Sequence, residues 1–222
     1  MVDRPIASAV APLSGARRRL VEELKGKGIV DPAVLRAIEL TPRHAFVPSG
    51  VRHRAYEDGA LPIGSGQTIS QPFVHARSLE LLRLTGSERV LEVGTGSGYQ
   101  TALLSKLALV IYSVERVEAL LRQAEEALRV ANVSNVYLAV ADGTAGWREH
   151  APFDAIVVGA GSPEIPQPLV DQLADGGRLL VPVGDRDVQR LVLVERKGTR
   201  VLEQAYDPVR FVPLVGDHGW AE

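Results

Sequence analysis

A chain of 222 residues and 23.9 kDa has room for one large domain, and on folding buries about 70% of its unfolded surface, enough to need no covalent staples. It contains no cysteine, which excludes disulfides, thiolate metal sites, CxxC redox chemistry and cysteine nucleophiles, and nothing in it requires an oxidising compartment. The 25 basic and 27 acidic side chains leave a net charge of −2, with basic excess confined to residues 1–54, where 10 Lys/Arg face 5 Asp/Glu.

The Arg17-Arg18-Arg19 run has no interleaved aromatic residues for base stacking. It reads as a solvated helix face, so no nucleic acid partner is expected. The longest stretch without Asp, Glu, Lys or Arg, residues 59–76, is rich in Gly, Pro, Ser and Gln and unsuited to a bilayer, so no membrane partner is expected. Residues 5–13 faintly imitate a signal peptide, but two prolines and the acidic Asp3 ahead of them point to a cytoplasmic protein.

In chain order, residues 13–28 predict a helix with Leu20, Val21 and Leu24 on one face, ending at glycine. Asp31 as N-cap and Pro32 at the first helical position start a second, with Val34, Leu35 and Ile38 as its apolar stripe and Thr41-Pro42 as its stop. Irregular chain is expected up to Gly66, then a third helix from Pro72 through Leu79, Leu82 and Leu84 to Gly86. From residue 88 a regular βαβ alternation begins. Strands are predicted at 89–93, 110–115, 136–140, 153–158 and 178–183, with helices through Leu103, Leu104 and Leu107, through residues 117–128, and through Leu169 and Leu173. Residues 191–195 and 200–204, joined by Arg196-Lys197-Gly198-Thr199, read as an antiparallel hairpin. The fold class is therefore α/β: a doubly wound, mostly parallel, Rossmann-like sheet with an antiparallel C-terminal hairpin and an N-terminal helical segment. One domain over 1–222 is expected, divided into N-terminal helices and an active-site segment (1–86), a cofactor-binding core (87–184) and a C-terminal hairpin with a substrate-side tail (185–222).

Ligands of open α/β sheets bind beyond the carboxyl ends of the strands. Gly94, Gly96 and Gly98 follow the first core strand there, where glycine permits a tight turn and close backbone approach, and Glu115 ends the next strand, placed to accept from the two hydroxyls of a ribose. The dinucleotide pattern G-x-G-x-x-G would require glycine where Tyr99 stands. The pattern Glu92-x-Gly94-x-Gly96-x-Gly98 resembles instead the first motif of class I S-adenosylmethionine methyltransferases, whose fold and cofactor, S-adenosyl-L-methionine, this resemblance implies. Asp142-Gly143, after the third core strand, resembles that family's adenine-contacting position.

Residues 60–72, ALPIGSGQTISQP, closely resemble the signature of protein-L-isoaspartate (D-aspartate) O-methyltransferases. The likeness continues through LEVGTGSGYQTA at 91–102, SVER at 113–116, APFDAI at 151–156 and RFVPL at 210–214, and covers about residues 15–216. It implies methyl esterification of the α-carboxylate of L-isoaspartyl, and by extension D-aspartyl, residues in damaged proteins. Loss of methanol then regenerates a succinimide that hydrolyses in part to normal aspartate. Isoaspartyl-containing proteins and peptides are the implied partners. A carboxylate acceptor is already ionised at pH 7, which suits a chain with no Cys and no evident Ser-His-Asp arrangement, because alignment is the main requirement.

The resemblance places Ser70 as the active-site serine that holds the acceptor carboxylate; as a bare sequence feature Ser70 is equally an N-cap for the helix at Pro72. It places Gln67, Thr68 and Ile69 over the cofactor, His75, Tyr99 and Gln100 beside it, and Val212 where main-chain bonds receive a peptide. The other four histidines show no metal-ligand spacing. Ala141, in place of a glycine, and the glycine-rich 159–162 depart from the family pattern without touching Ser70 or Glu115. Three other readings stay open on sequence: a class I methyltransferase with another acceptor such as RNA, although the Asn/Asp-Pro-Pro-aromatic motif of amino-directed enzymes is missing at 159–163; a nicotinamide dehydrogenase, disfavoured by Tyr99; and a non-catalytic module that binds adenosylmethionine or damaged peptide.

Overall fold

The computed structural model describes residues 11–221. Residues 1–10, with most of the signal-like stretch 5–13, lie outside the described residues. Helix α1 (Ala11–Gly26) and helix α2 (Pro32–Leu40) form where their apolar stripes predict them, and Asp31 Oδ1 caps α2 by accepting from the N–H groups of Ala33 and Val34. Two short 3₁₀ turns, Arg43–Phe46 and Ser49–Arg54, follow.

Next comes an element that the sequence reading leaves as irregular chain. Strand β1 (Leu61–Gly64) pairs antiparallel with β2 (Gln67–Ile69) through a two-residue loop, Ser65-Gly66, in which both residues have positive φ, as a type I′ turn requires. Helix α3 (Pro72–Leu82) then starts at Pro72 as expected but stops short of Leu84, where Arg83 turns left-handed.

The main sheet follows: β3 (Arg89–Val93), α4 (Tyr99–Leu104), β4 (Val110–Glu115), α5 (Glu118–Val130), β5 (Val136–Val140), β6 (Phe153–Val158), α6 (Gln167–Asp171), β7 (Leu173–Gly184), β8 (Gln189–Lys197) and β9 (Arg200–Val209). Its seven strands run in the order β5-β4-β3-β6-β7-β8-β9. Pairing is parallel from β5 to β7 and antiparallel from β7 to β9. The central strands β3, β4 and β6 are buried on both faces, which explains their near-continuous hydrophobic sequences. Alternate residues feed two cores. Val90, Ile111 and Ala155 face one built with α1–α5; Leu91, Tyr112 and Ile156 face the other, closed by Leu169 and Leu214.

Two boundaries differ from the sequence reading. Leu173 belongs to a strand rather than a helix: β7 begins there, pairs with Phe153, and carries a register irregularity before Arg178. The Asp175-Gly176-Gly177 stretch that resembles a turn lies inside this strand, and Gly177 is needed because a Cβ would lie 2.9 Å from Ala174 O and 3.0 Å from Phe153 O. Helix α4 is also shorter than its apolar residues suggest, since Leu107 falls in the turn that leads to β4. Among the described residues no helix is long and apolar enough to cross a membrane, and no group of three or more His, Asp or Glu is placed to hold a metal ion.

Strand order reverses between β3 and β6: the chain moves outward through β4 and β5, returns, and proceeds the other way. Crevices open at such reversals. Here two glycines border the gap, with Gly94 N donating to Val114 O (2.8 Å) and Gly159 N to Val93 O (2.8 Å).

Candidate active site

The floor of this crevice is the loop after β3. Gly94, Gly96 and Gly98 all adopt left-handed backbone, with φ of 94°, 54° and 81°; a side chain at any of them would strain the turn. Gly98 has a second reason to be glycine: a Cβ there would lie 3.2 Å from Ala124 Cβ and 3.3 Å from Leu128 Cγ, so the loop and α5 pack because it has none. Glu115, almost fully buried, accepts from Gly96 N at 2.9 Å through Oε2 and from Val117 N at 3.0 Å through Oε1. Each oxygen keeps a lone pair for a further donor.

Beneath the loop lies a buried polar layer. Glu92 is fully buried, and its Oε2 accepts from Thr101 Oγ1 (2.5 Å) and Ser113 Oγ (2.6 Å), the latter its register partner on β4. Its Oε1 has no partner among the described residues. Burial pushes this carboxyl up to about 7, against the opposing bonds from Ser113 and Thr101. Tyr99 is also buried, packed edge-on to His75 and beneath the Arg43 guanidinium.

His75 reaches the crevice from α3. Its Nδ1 meets Gln100 Oε1 at 3.1 Å, while Nε2 is buried without a partner among the described residues. Burial, aided by the Arg43 cation, pushes its pKa down to about 3, so the ring is neutral at physiological pH. An amide oxygen facing Nδ1 requires the hydrogen there, which leaves Nε2 a bare acceptor.

The β1–β2 hairpin forms one wall, with Ile63, Gln67, Thr68 and Ile69 facing the glycine loop. The chain after β9 forms another. Gly161 N donates to Val212 O and Leu214 N to Gly161 O, both at 2.8 Å, and Trp220 Nε1 donates to Gly161 O at 3.0 Å, so residues 212–215 are held along the exit of β6. The crevice, counted with the solvent space at its mouth, spans about 870 Å³. Beside it runs a broader groove of about 1,900 Å³, bordered by α3, the 186–191 turn and residues 207–213. Thr68, Ser70, Gly159, Val212 and Pro213 line both cavities.

Ser70 therefore stands where crevice and groove meet, and among the described residues nothing hydrogen-bonds its hydroxyl. It is not the cap of α3: Asp58 Oδ1 accepts from Phe73 N at 2.8 Å and does that work. Val212 uses its carbonyl on Gly161, while nothing among the described residues takes its N–H.

Of the residues singled out from sequence, Gln67, Thr68, Ile69, Ser70, His75, Gly94, Gly96, Gln100, Glu115, Gly143 and Val212 line the crevice. Glu92, Gly98, Tyr99 and Asp142 do not; the first three lie beneath or behind the loop. The Asp142 carboxylate is turned outward, capping the 143–145 turn through Thr144 N (2.9 Å) and accepting Asp217 N (2.8 Å) from the C-terminal tail. Gly143 shows its own constraint, since a Cβ would lie 2.5 Å from Val93 Cγ1. The sequence reading missed Ile63, Gly159 and residues 214–215 as lining residues, and it missed Asp58. The alternation of Leu61, Ile63 and Ile69 was the available signal for the first.

The group implied by the class I motif fits these residues: a carboxylate with spare lone pairs at the end of β4 and a loop stripped of side chains match a ligand carrying ribose hydroxyls.

Comparisons with known proteins agree with this geometry. Residues 15–219 match the family model described as protein-L-isoaspartate (D-aspartate) O-methyltransferase (PCMT). A protein-L-isoaspartate O-methyltransferase of Dictyoglomus thermophilum is 52% identical over 206 residues, covering 93% of this chain and 94% of the relative. Among solved structures, a protein-L-isoaspartate O-methyltransferase superposes with a TM-score of 0.83 at 30% identity, covering 91% of this chain and 67% of that one. A beta-aspartate methyltransferase (PCMT) from Plasmodium falciparum, in complex with S-adenosyl-L-homocysteine, superposes at 0.78 and 28% identity, covering 88% and 96%. The chain belongs to the protein-L-isoaspartate (D-aspartate) O-methyltransferase family.

Proposed function

We propose that this chain, a single domain over residues 1–222, is a cytoplasmic S-adenosyl-L-methionine-dependent methyltransferase that esterifies the α-carboxylate of L-isoaspartyl residues in proteins and peptides, with D-aspartyl residues as secondary acceptors. The observation that carries this reading is Ser70, whose hydroxyl has no hydrogen-bond partner among the described residues and stands where the crevice meets the broader groove. A nucleoside suits the crevice, and a peptide, which cannot enter it, suits the groove.

S-adenosyl-L-methionine, when bound, supplies a methyl group activated by a sulfonium that is also its leaving group. The residues of the chain bind, orient and exclude water. Glu115 receives ribose hydroxyls. Ser70 donates its hydroxyl proton in a hydrogen bond to one oxygen of the acceptor carboxylate and so turns the other toward the crevice. The acceptor, with a pKa near 4, is ionised at pH 7, so no side chain has to remove a proton, and proximity supplies the rate. The Val212 N–H is placed to receive a peptide carbonyl, a form of recognition that accepts many sequences. Once released, the ester loses methanol to give the succinimide through which repair proceeds.

Labelled methyl donor and two peptides that differ only in an aspartyl or isoaspartyl linkage test the reading. Base-labile label is expected on the isoaspartyl peptide alone. Equal labelling of both, or label on RNA, would replace the assignment with another acceptor; no transfer at all, with donor binding intact, would indicate a binding module.

A further inference from the structure

We propose that Asp58 is the positioning residue of this site: its buried carboxylate caps helix α3 in place of Ser70 and so leaves the Ser70 hydroxyl to the acceptor. The inference rests on the role given to Ser70 above.

A helix that opens with Pro72 is ordinarily capped from the one or two residues before it. Here Gln71 holds the N-cap position with no side-chain bond to the helix, and Ser70 makes none. The cap comes instead from 15 residues upstream. Asp58 Oδ1 accepts Phe73 N at 2.8 Å, while Oδ2 accepts Gln71 Nε2 at 2.9 Å and Lys27 Nζ at 2.5 Å. The Asp58 side chain is 3% exposed, while Lys27 reaches it from the surface with 41% of its side chain exposed. Burial alone would raise its pKa; the bonds from Lys27, Phe73 and Gln71 outweigh burial and hold it below the ordinary value, ionised at neutral pH.

Asp58 thus grips the chain just beyond Ser70 twice, by the Gln71 side chain and by the Phe73 main chain. It is itself fixed from the end of α1 by Lys27, and the following peptide is held by Arg43, whose Nη2 donates to Gly59 O at 3.3 Å. Without Asp58, Phe73 N would lose this partner, and the hydroxyl nearest to it in sequence is that of Ser70, three residues earlier. Capping and substrate binding would then compete for a single group.

A double-mutant cycle on the full chain tests this. Asp58→Ala is expected to lower kcat on an isoaspartyl peptide by about tenfold or more, the scale of one charge-assisted hydrogen bond, with the S-adenosylhomocysteine Kd little changed. In a Ser70→Ala background the same change is expected to cost almost nothing. Asp58→Asn, which keeps an acceptor for Phe73 N, should recover most of the loss and serves if the alanine variant does not fold. Glu88→Ala removes another buried carboxylate that accepts main-chain N–H groups. It lies at the far end of α3 and should lower Tm without the loss in kcat.

Wild-type kcat in Asp58→Ala, an equal loss in both backgrounds, or an equal loss in Glu88→Ala would overturn the proposal. A crystal structure of Asp58→Ala tests it independently of turnover: Ser70 Oγ is expected to move onto Phe73 N, and an unmoved Ser70 would contradict it. Failure of the wild-type protein to label the isoaspartyl peptide would count instead against the functional reading.

Discussion

Glu115 Oε2 accepts the Gly96 N–H at 2.9 Å, binding the end of β4 to the loop after β3. One carboxylate thereby shapes the glycine loop and offers its remaining lone pairs to a ligand. Glu115→Ala is expected to weaken S-adenosylhomocysteine binding by about 10- to 100-fold, the effect of losing hydrogen bonds to a charged group. Glu115→Gln, which keeps one acceptor oxygen, should fall between. Calorimetric titration measures both.

Among the described residues the Ser70 hydroxyl has no hydrogen-bond partner to lose. Ser70→Ala should therefore leave Tm unchanged, leave the cofactor Kd within about threefold, and lower kcat by roughly 10- to 100-fold, the scale of one lost hydrogen bond to a charged acceptor. A fall in Tm of several degrees with normal kcat would make Ser70 a structural residue.

Glu92 gives a pH signature. Its folded-state pKa is raised from the usual 4.5 to about 7, so the folded protein holds a proton that the unfolded chain releases. The stability this confers is complete below about pH 4.5 and is lost as pH rises through 7. Glu92→Gln should flatten that slope, gaining up to a few kcal/mol on wild type at pH 8 relative to pH 5. Urea midpoints across that range decide it, and parallel profiles would mean that the carboxyl is not protonated on burial.

Gly98→Ala combines a positive φ with close contacts to Ala124 and Leu128. A loss of about 1–3 kcal/mol in folding stability is expected. Because Gly98 lies behind the loop, cofactor affinity at a temperature where the variant is folded should change far less than in Glu115→Ala.

Much of this was legible in the sequence, for physical reasons that differ by element. The central parallel strands announce themselves because burial on both faces demands near-continuous apolar runs, as in residues 110–114, interrupted only by Ser113. Glu115 follows from spacing, since it lies at a strand end next to a glycine turn. The β1–β2 hairpin was obscured because Pro62, Gly64 and Gly66 read as irregular chain, although Gly66 supplies one of the positive φ values its turn needs. The start of β7 was hidden by Asp175-Gly176-Gly177, a turn-like sequence held inside a strand by pairing with its neighbour. The cap of α3 could not be read locally because its donor and acceptor lie 15 residues apart. Asp142 lies where its motif predicts, yet its carboxylate engages a C-terminal tail whose path no local pattern encodes.

The central claim is that Ser70 presents the acceptor carboxylate to the crevice, and a crystal structure with S-adenosylhomocysteine and an isoaspartyl peptide tests it most directly. The account predicts the thioether sulfur turned toward Ser70, the ribose on Glu115, and the isoaspartyl carboxylate within hydrogen-bond distance of Ser70 Oγ. A peptide bound away from residue 70, or a nucleoside whose sulfur faces elsewhere, would contradict it.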